Sequence, residues 1–105
     1  MRILVLCLIS IFATPTLAAV NHCQKPFEQQ KAIDSTIAFA RLAKNDVCQA
    51  PEILEIQVEP TRIVKPDGEV IPHYRVQYHY AYHSCLFLVS RVDQSISKHY
   101  CYSAQ

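Results

Sequence analysis

Val70-Ile-Pro-His-Tyr-Arg-Val-Gln-Tyr-His-Tyr-Ala-Tyr-His-Ser-Cys-Leu-Phe-Leu-Val-Ser-Arg-Val92 decides how the rest of the chain is read. Tyrosines and valines alternate with polar residues, and an apolar run follows. β-branched and aromatic residues at period two fit a pleated, half-buried strand and not a helix. Upstream, Ile53 to Val64 alternates in the same way, with Leu54, Ile56 and Val58 on one side and Glu55, Gln57 and Glu59 on the other. Lys65-Pro66-Asp67-Gly68-Glu69 between them places proline and the only glycine as a tight turn requires.

The two strands can be put in register from their side chains. Setting Val64 opposite Val70 brings Ile56 to Tyr78, Val58 to Val76 and Leu54 to Tyr80, all on one face. The other face then holds Glu59 opposite Arg75, Glu55 opposite His79 and Gln57 opposite Gln77. A slip of one residue would set each apolar residue against a polar one, so this register is the expected one.

Working outward, Phe27 to Lys44 carries Ala32, Ile33, Thr36, Ile37, Phe39, Ala40 and Ala43 at helical spacing. Pro26 suits the entry of such a helix, and Asp34-Ser35 offers a place for it to break. Asn45 to Pro51 is a connector. The long strand must bend near Ala81 to Ser84, although no glycine marks the place. Cys85 to Arg91 reads as a third strand, Asp93-Gln94 as a turn, and Ser95 to Tyr102 as a last strand with Ile96, Tyr100 and Tyr102 on one side. The fold class is α+β: one N-terminal helix packed on a three- to four-stranded antiparallel meander sheet, with two disulfides. The helix stripe is expected to cover the face of Leu54, Ile56, Val58, Tyr78 and Tyr80.

The chain has 105 residues. Residues 1–18 read as a secretory signal peptide: Arg2, an apolar run from Ile3 to Phe12, and a small-x-small ending at Thr16-Leu17-Ala18. Thr14-Pro15-Thr16 stops the run short of the roughly 20 apolar residues that span a bilayer. Cleavage after Ala18 leaves 19–105 as a single small α+β domain, with no transmembrane segment. It removes Arg2 from the ten basic residues and so balances the nine acidic ones. A neutral chain does not suit nucleic acid or an anionic membrane. It also removes Cys7, leaving Cys23, Cys48, Cys85 and Cys101. An even count in an exported chain implies two disulfides and a periplasmic or secreted location. Cys85 and Cys101 lie symmetrically about Asp93, which favours sequential pairing. Cys23 and Cys48 flank a helix of about 27 Å, however, and the chain would have to fold back to join them. Pairing of Cys23 with Cys85 and Cys48 with Cys101, or the crossed pairing, therefore stays open.

The layout resembles the exported family of colicin M immunity protein and the secreted YebF protein. Cys23-Gln-Lys-Pro-Phe would be the helix entry, with Val70-Ile-Pro and the segment from Cys85 to Tyr100 as later strands. The resemblance implies an immunity or export role and assigns no residue. The extra cysteines, Cys48 and one of Cys85 and Cys101, depart from it. A cystatin-like arrangement fits the same element order.

Residues able to carry chemistry are sparse. His79 and His83 share a strand face but lie roughly 13 Å apart, too far for one metal unless the chain turns at Ala81-Tyr82. His22 would be the third residue after cleavage at Ala19, completing a square-planar copper or nickel site, but the fourth after cleavage at Ala18. A single glycine excludes Gly-rich phosphate loops, and no Gly-x-Ser-x-Gly elbow is present. The expectation is a non-enzymatic, cofactor-free protein-binding protein, an inhibitor or immunity protein acting on an exported enzyme or toxin. Its expected contact residues are Glu55, Glu59, Arg75, His79, Tyr82 and Tyr102. A metal- or small-ligand-binding protein and a structural subunit of an envelope complex are the other readings.

Overall fold

The computed structural model describes residues 20–103. The expected signal peptide lies outside the described residues. Helix α1 spans Phe27–Ala40 and the short helix α2 spans Lys44–Cys48. Strands β1 (Glu55–Val64), β2 (Val70–His79), β3 (His83–Ser90) and β4 (Ile96–Ser103) follow. They form one antiparallel sheet in the order β1-β2-β3-β4.

The β1–β2 register is the one the side chains predict, with Val64 opposite Val70, Val58 opposite Val76 and Glu59 opposite Arg75. Gly68, at φ 91°, closes the turn in the left-handed region, and the Gly68 amide donates to the Lys65 carbonyl at 2.9 Å. Even-numbered residues of β1 and β2 face the helix. Ile56, Val76, Tyr74 and Tyr78 are buried there, with Val89 from β3. Ala32, Ile33, Thr36 and Ile37 supply the helix side of this core. Leu54 is not part of it. It precedes β1 and is 65 % exposed, because the helix stripe lies over the middle of the sheet.

The helix neither breaks at Asp34-Ser35 nor reaches Lys44. The Ser35 hydroxyl donates back to the Lys31 carbonyl at 3.1 Å, and the helix runs on to Ala40. It stops where Arg41 takes φ 60° and the amides of Arg41 and Leu42 return to the carbonyls of Ala38 and Ile37. This is a Schellman closure with arginine where glycine is usual. The early stop solves the reach between Cys23 and Cys48. The chain reverses at Arg41, α2 runs back, and the disulfide closes beneath it. The His22 amide donates to the Cys48 carbonyl at 2.8 Å beside the bridge. Pairing is sequential, since Cys85 and Cys101 face each other across β3 and β4 and are joined.

The β2–β3 connection is a two-residue turn at Ala81-Tyr82. Among the described residues only Arg41, Gln94 and Gly68 have positive φ, so this turn is made without a left-handed residue. The Tyr80 amide donates to the His83 carbonyl at 2.9 Å, and the Tyr80 and His83 rings stack at 4.4 Å. In β4, a bulge shifts the pairing between Leu88 and Val89. It puts Ile96 on the helix face and Tyr100 and Tyr102 on the opposite face, which separates three residues expected on one side.

Two predictions follow from the core. Replacing Cys23 and Cys48 together by serine removes a buried bridge and should cost about 3–5 kcal/mol, against about 2–3 kcal/mol for the more exposed Cys85 and Cys101. Urea unfolding of the two double variants checks the order. Tyr78 exchanges a hydrogen bond with Thr36 inside the core. Burial pushes its hydroxyl up from 10.0 to about 12, and the Thr36 bond opposes this only in part. The unfolded chain loses this proton first, so stability is intact below pH 10 and declines towards pH 12, by up to about 1.4 kcal/mol per pH unit. Unfolding midpoints of Tyr78→Phe should be flatter than wild type over that window.

Candidate functional site

Alternation puts the odd residues of β1 and β2 on the face that α1 leaves uncovered. Glu55, Gln57 and Glu59 come from β1, and His73, Arg75, Gln77 and His79 from β2. Register carries the same face through Ser84, Leu86 and Leu88 of β3 to Lys98, Tyr100 and Tyr102 of β4. Five of the six expected contact residues therefore share one surface: Glu55, Glu59, Arg75, His79 and Tyr102. The sixth, Tyr82, stands 85 % exposed at the tip of the β2–β3 turn, away from the edge strands.

This surface is held by side-chain bonds that cross strands. Arg75 Nη2 donates to Glu59 Oε1 at 2.8 Å. Gln77 Nε2 donates to the Tyr102 hydroxyl at 3.0 Å, which carries the tyrosine over β3. Leu86 beneath that bond is only 8 % exposed, although the helix lies on the other side of the sheet. Tyr100 and Tyr102 lie with ring centres 5.9 Å apart, and the Lys98 ammonium sits 5.4 Å from the Tyr100 ring centre. The face thus grades from carboxylates on β1 to aromatic rings and one cation on β4.

His79 stands opposite Glu55 in the ladder, but its ring hydrogen-bonds elsewhere. Its Nε2–H donates to Gln57 Oε1 at 2.8 Å and its Nδ1 accepts from the Ser84 hydroxyl at 2.9 Å. An uncharged amide and a hydroxyl satisfy both ring nitrogens. The turn at Ala81-Tyr82 also decides the fate of the His79/His83 pair. His79 faces Ser84 across the ladder, so His83, one residue earlier, falls on the helix face, and the two rings diverge. His99 is on the helix face too, against Phe39 at 4.8 Å. The Nε2–H of His22 is held by the Ala50 carbonyl at 2.9 Å. Among the described residues, no cluster of three or more histidine, cysteine or acidic side chains is placed to hold a metal.

One site was hidden in the sequence. A cleft of about 340 Å³ opens at the turn end of the same face, with His73, Ser97, Ser90 and Asp93 around an apolar floor of Ile63 and Ile71. His73 is 3 % exposed. Its Nδ1–H donates to the Ile71 carbonyl at 3.0 Å, and its Nε2 accepts from the Ser97 hydroxyl at 3.0 Å. Ser97 is the extra residue of the β4 bulge, and its hydroxyl reaches His73 from there. A hydroxyl on an imidazole is the contact that activates a nucleophile, but here the imidazole is oriented by a main-chain carbonyl and not by a carboxylate. The pair latches the β4 bulge to β2. At the rim, the Ser95 hydroxyl and amide hold the Asp93 carboxyl below its usual range.

The comparisons add no relative: no family, curated protein or solved structure matches the chain.

The latch predicts a graded loss of stability. Ser97→Ala should cost about 1 kcal/mol, and His73→Ala, which leaves the Ile71 carbonyl and the Ser97 hydroxyl without their partner, about 2–3 kcal/mol. Urea unfolding of both variants and of the double variant measures this. The double variant should lose little more than His73→Ala alone.

Proposed function

We propose that this is an exported protein-binding protein that acts by covering another protein with its uncovered sheet face, as an inhibitor or immunity protein of an exported enzyme or toxin. The observation that carries the reading is the cross-strand bonding of that face. Glu59–Arg75 and Gln77–Tyr102 fix its side chains before any partner arrives. Fixing them in advance lowers the entropic cost of docking. Two disulfides fit an oxidising compartment and add to the rigidity. Among the described residues no helix is long and apolar enough to cross a membrane.

The size of the face agrees with the job. Four strands about 4.8 Å apart, eight to ten residues long at about 3.3 Å each, present roughly 500–600 Å² in projection. Side-chain relief and the flanking turns bring this near the roughly 800 Å² per partner of a standard interface. The partner's complementary surface would set a basic group over Glu55 and Glu59 and apolar or acidic groups over Tyr100, Tyr102 and Lys98. Tyr100 and Tyr102 are of the residue type most often found as interface anchors.

The test is affinity capture with the oxidised chain as bait against envelope and secreted fractions, repeated with Glu59→Arg and with Tyr102→Ala. A single stoichiometric enzyme or toxin partner is expected. Each variant should weaken its capture by roughly tenfold or more while changing stability by under about 1 kcal/mol, as for an exposed ion pair. Unchanged capture by both variants would move the docking surface off this face.

A further inference from the structure

Among the described residues the sheet has two free edges, and they are built differently. β1 carries Pro60 together with Glu55, Glu59 and Arg62. The Lys65 amide donates to the Glu69 carbonyl, so odd positions of β1 bond to β2 and even positions face outward. An incoming strand would therefore meet Pro60, which has no N–H to offer. Proline and charge on an edge are the usual guards against strand addition.

β4 has no such guard. Its eight residues, ISKHYCYS, include no proline and a single charge, Lys98. The Tyr80–His83 bond assigns the odd residues of β3 to β2 and so its even residues to β4. Lys98, Tyr100 and Tyr102, which face those even residues, are thereby turned inward along the backbone. The main-chain groups of His99, Cys101 and Ser103 are left pointing out along an unguarded edge. Both flanks of that edge are aromatic. Tyr100 is 45 % exposed on one side, and Phe39, against His99, is 47 % exposed on the other.

We infer that β4 is a self-association edge, on which a second copy of this chain pairs antiparallel about a two-fold axis at Tyr100 to make one continuous eight-stranded sheet. The second copy is the occupant because the strand is self-complementary in this register. His99 then faces Cys101 of the second copy, and each exchanges both of its outward main-chain bonds. Lys98 lies opposite the tyrosine at position 102 of the second copy, repeating the cation–ring contact it already makes with Tyr100. A two-fold at Lys98 would set like charges together. The register at Tyr100 also uses the bulge-free stretch of β4 from Lys98 to Tyr102. Because even positions pair with even ones, the two uncovered faces join side by side, with both copies of α1 on the opposite surface. The inference rests on the backbone and holds whatever that face binds.

Sedimentation equilibrium of the oxidised chain, with amide exchange at low and high concentration, tests it. The mass should double with concentration, and the added protection should centre on the amides of His99 and Cys101. Tyr100→Glu, which opposes two carboxylates on the two-fold, should weaken the dimer by roughly tenfold or more. Ser103→Pro, which removes an outward donor without touching the bonds to β3, should weaken it less, and covers the case in which Tyr100→Glu fails to fold. Glu59→Arg should leave the dimer intact. A chain that stays monomeric at the highest attainable concentration overturns the inference. So does a dimer whose new protection lies on β1 or on helix α1.

Discussion

The pairing of β1 with β2 is the constraint on which the rest of this structure depends. In a pleated ladder a single choice of register sends every side chain to one face or the other. Setting Val58 against Val76 and Glu59 against Arg75 gives the helix an apolar face to cover and leaves the polar one open. β3 and β4 inherit that division through their own registers until the bulge at Ser97, where β4 changes phase once. Had β4 continued without the bulge, Tyr100 and Tyr102 would share a face with Ile96. The uncovered surface would then lose its aromatic side.

The helix contributes fewer core residues than its apolar stripe suggests. Ile33, Ala32 and Thr36 are fully buried, whereas Phe39 lies at the margin over Phe87 and His99. In a domain this small that core is modest, and the disulfides stand at its two ends. Cys23–Cys48 ties the helix entry to α2, and Cys85–Cys101 ties the outer strand to the sheet. Both bridges leave the uncovered face free.

The alternating strands were legible because apolar and polar residues alternate without a break from Leu54 to Val58 and from Val76 to Tyr80, and only one register matches charge with charge. The symmetry of Cys85 and Cys101 about one turn favours their bridge, whereas the Cys23–Cys48 bridge stays open in the sequence because its closure depends on the helix ending at Ala40. The helix end was not legible, because Arg41 adopts a left-handed conformation that glycine or asparagine would have announced. The bend expected near Ala81 to Ser84 is the Ala81-Tyr82 turn; it needs no positive φ, so no glycine marks it, and a stacked Tyr80–His83 pair flanks it in space. Glu55 stands opposite His79 as the register requires, but the Gln57 amide and the Ser84 hydroxyl are what bond its ring, a detail that alternation does not specify. The His73–Ser97 latch depends on a one-residue bulge, and neither residue carries a local pattern that would reveal it.

Register thus sets both the composition of the uncovered face and the contrast between the two edges. Proton NMR of the oxidised chain tests it directly, because non-hydrogen-bonded partners in an antiparallel ladder bring their α-protons into close contact. With this register, α-proton cross-peaks are expected between Ile56 and Tyr78 and between Val58 and Val76. Cross-peaks displaced by one residue, such as Val58 with Tyr74's neighbour Arg75, would exchange the two faces and contradict it.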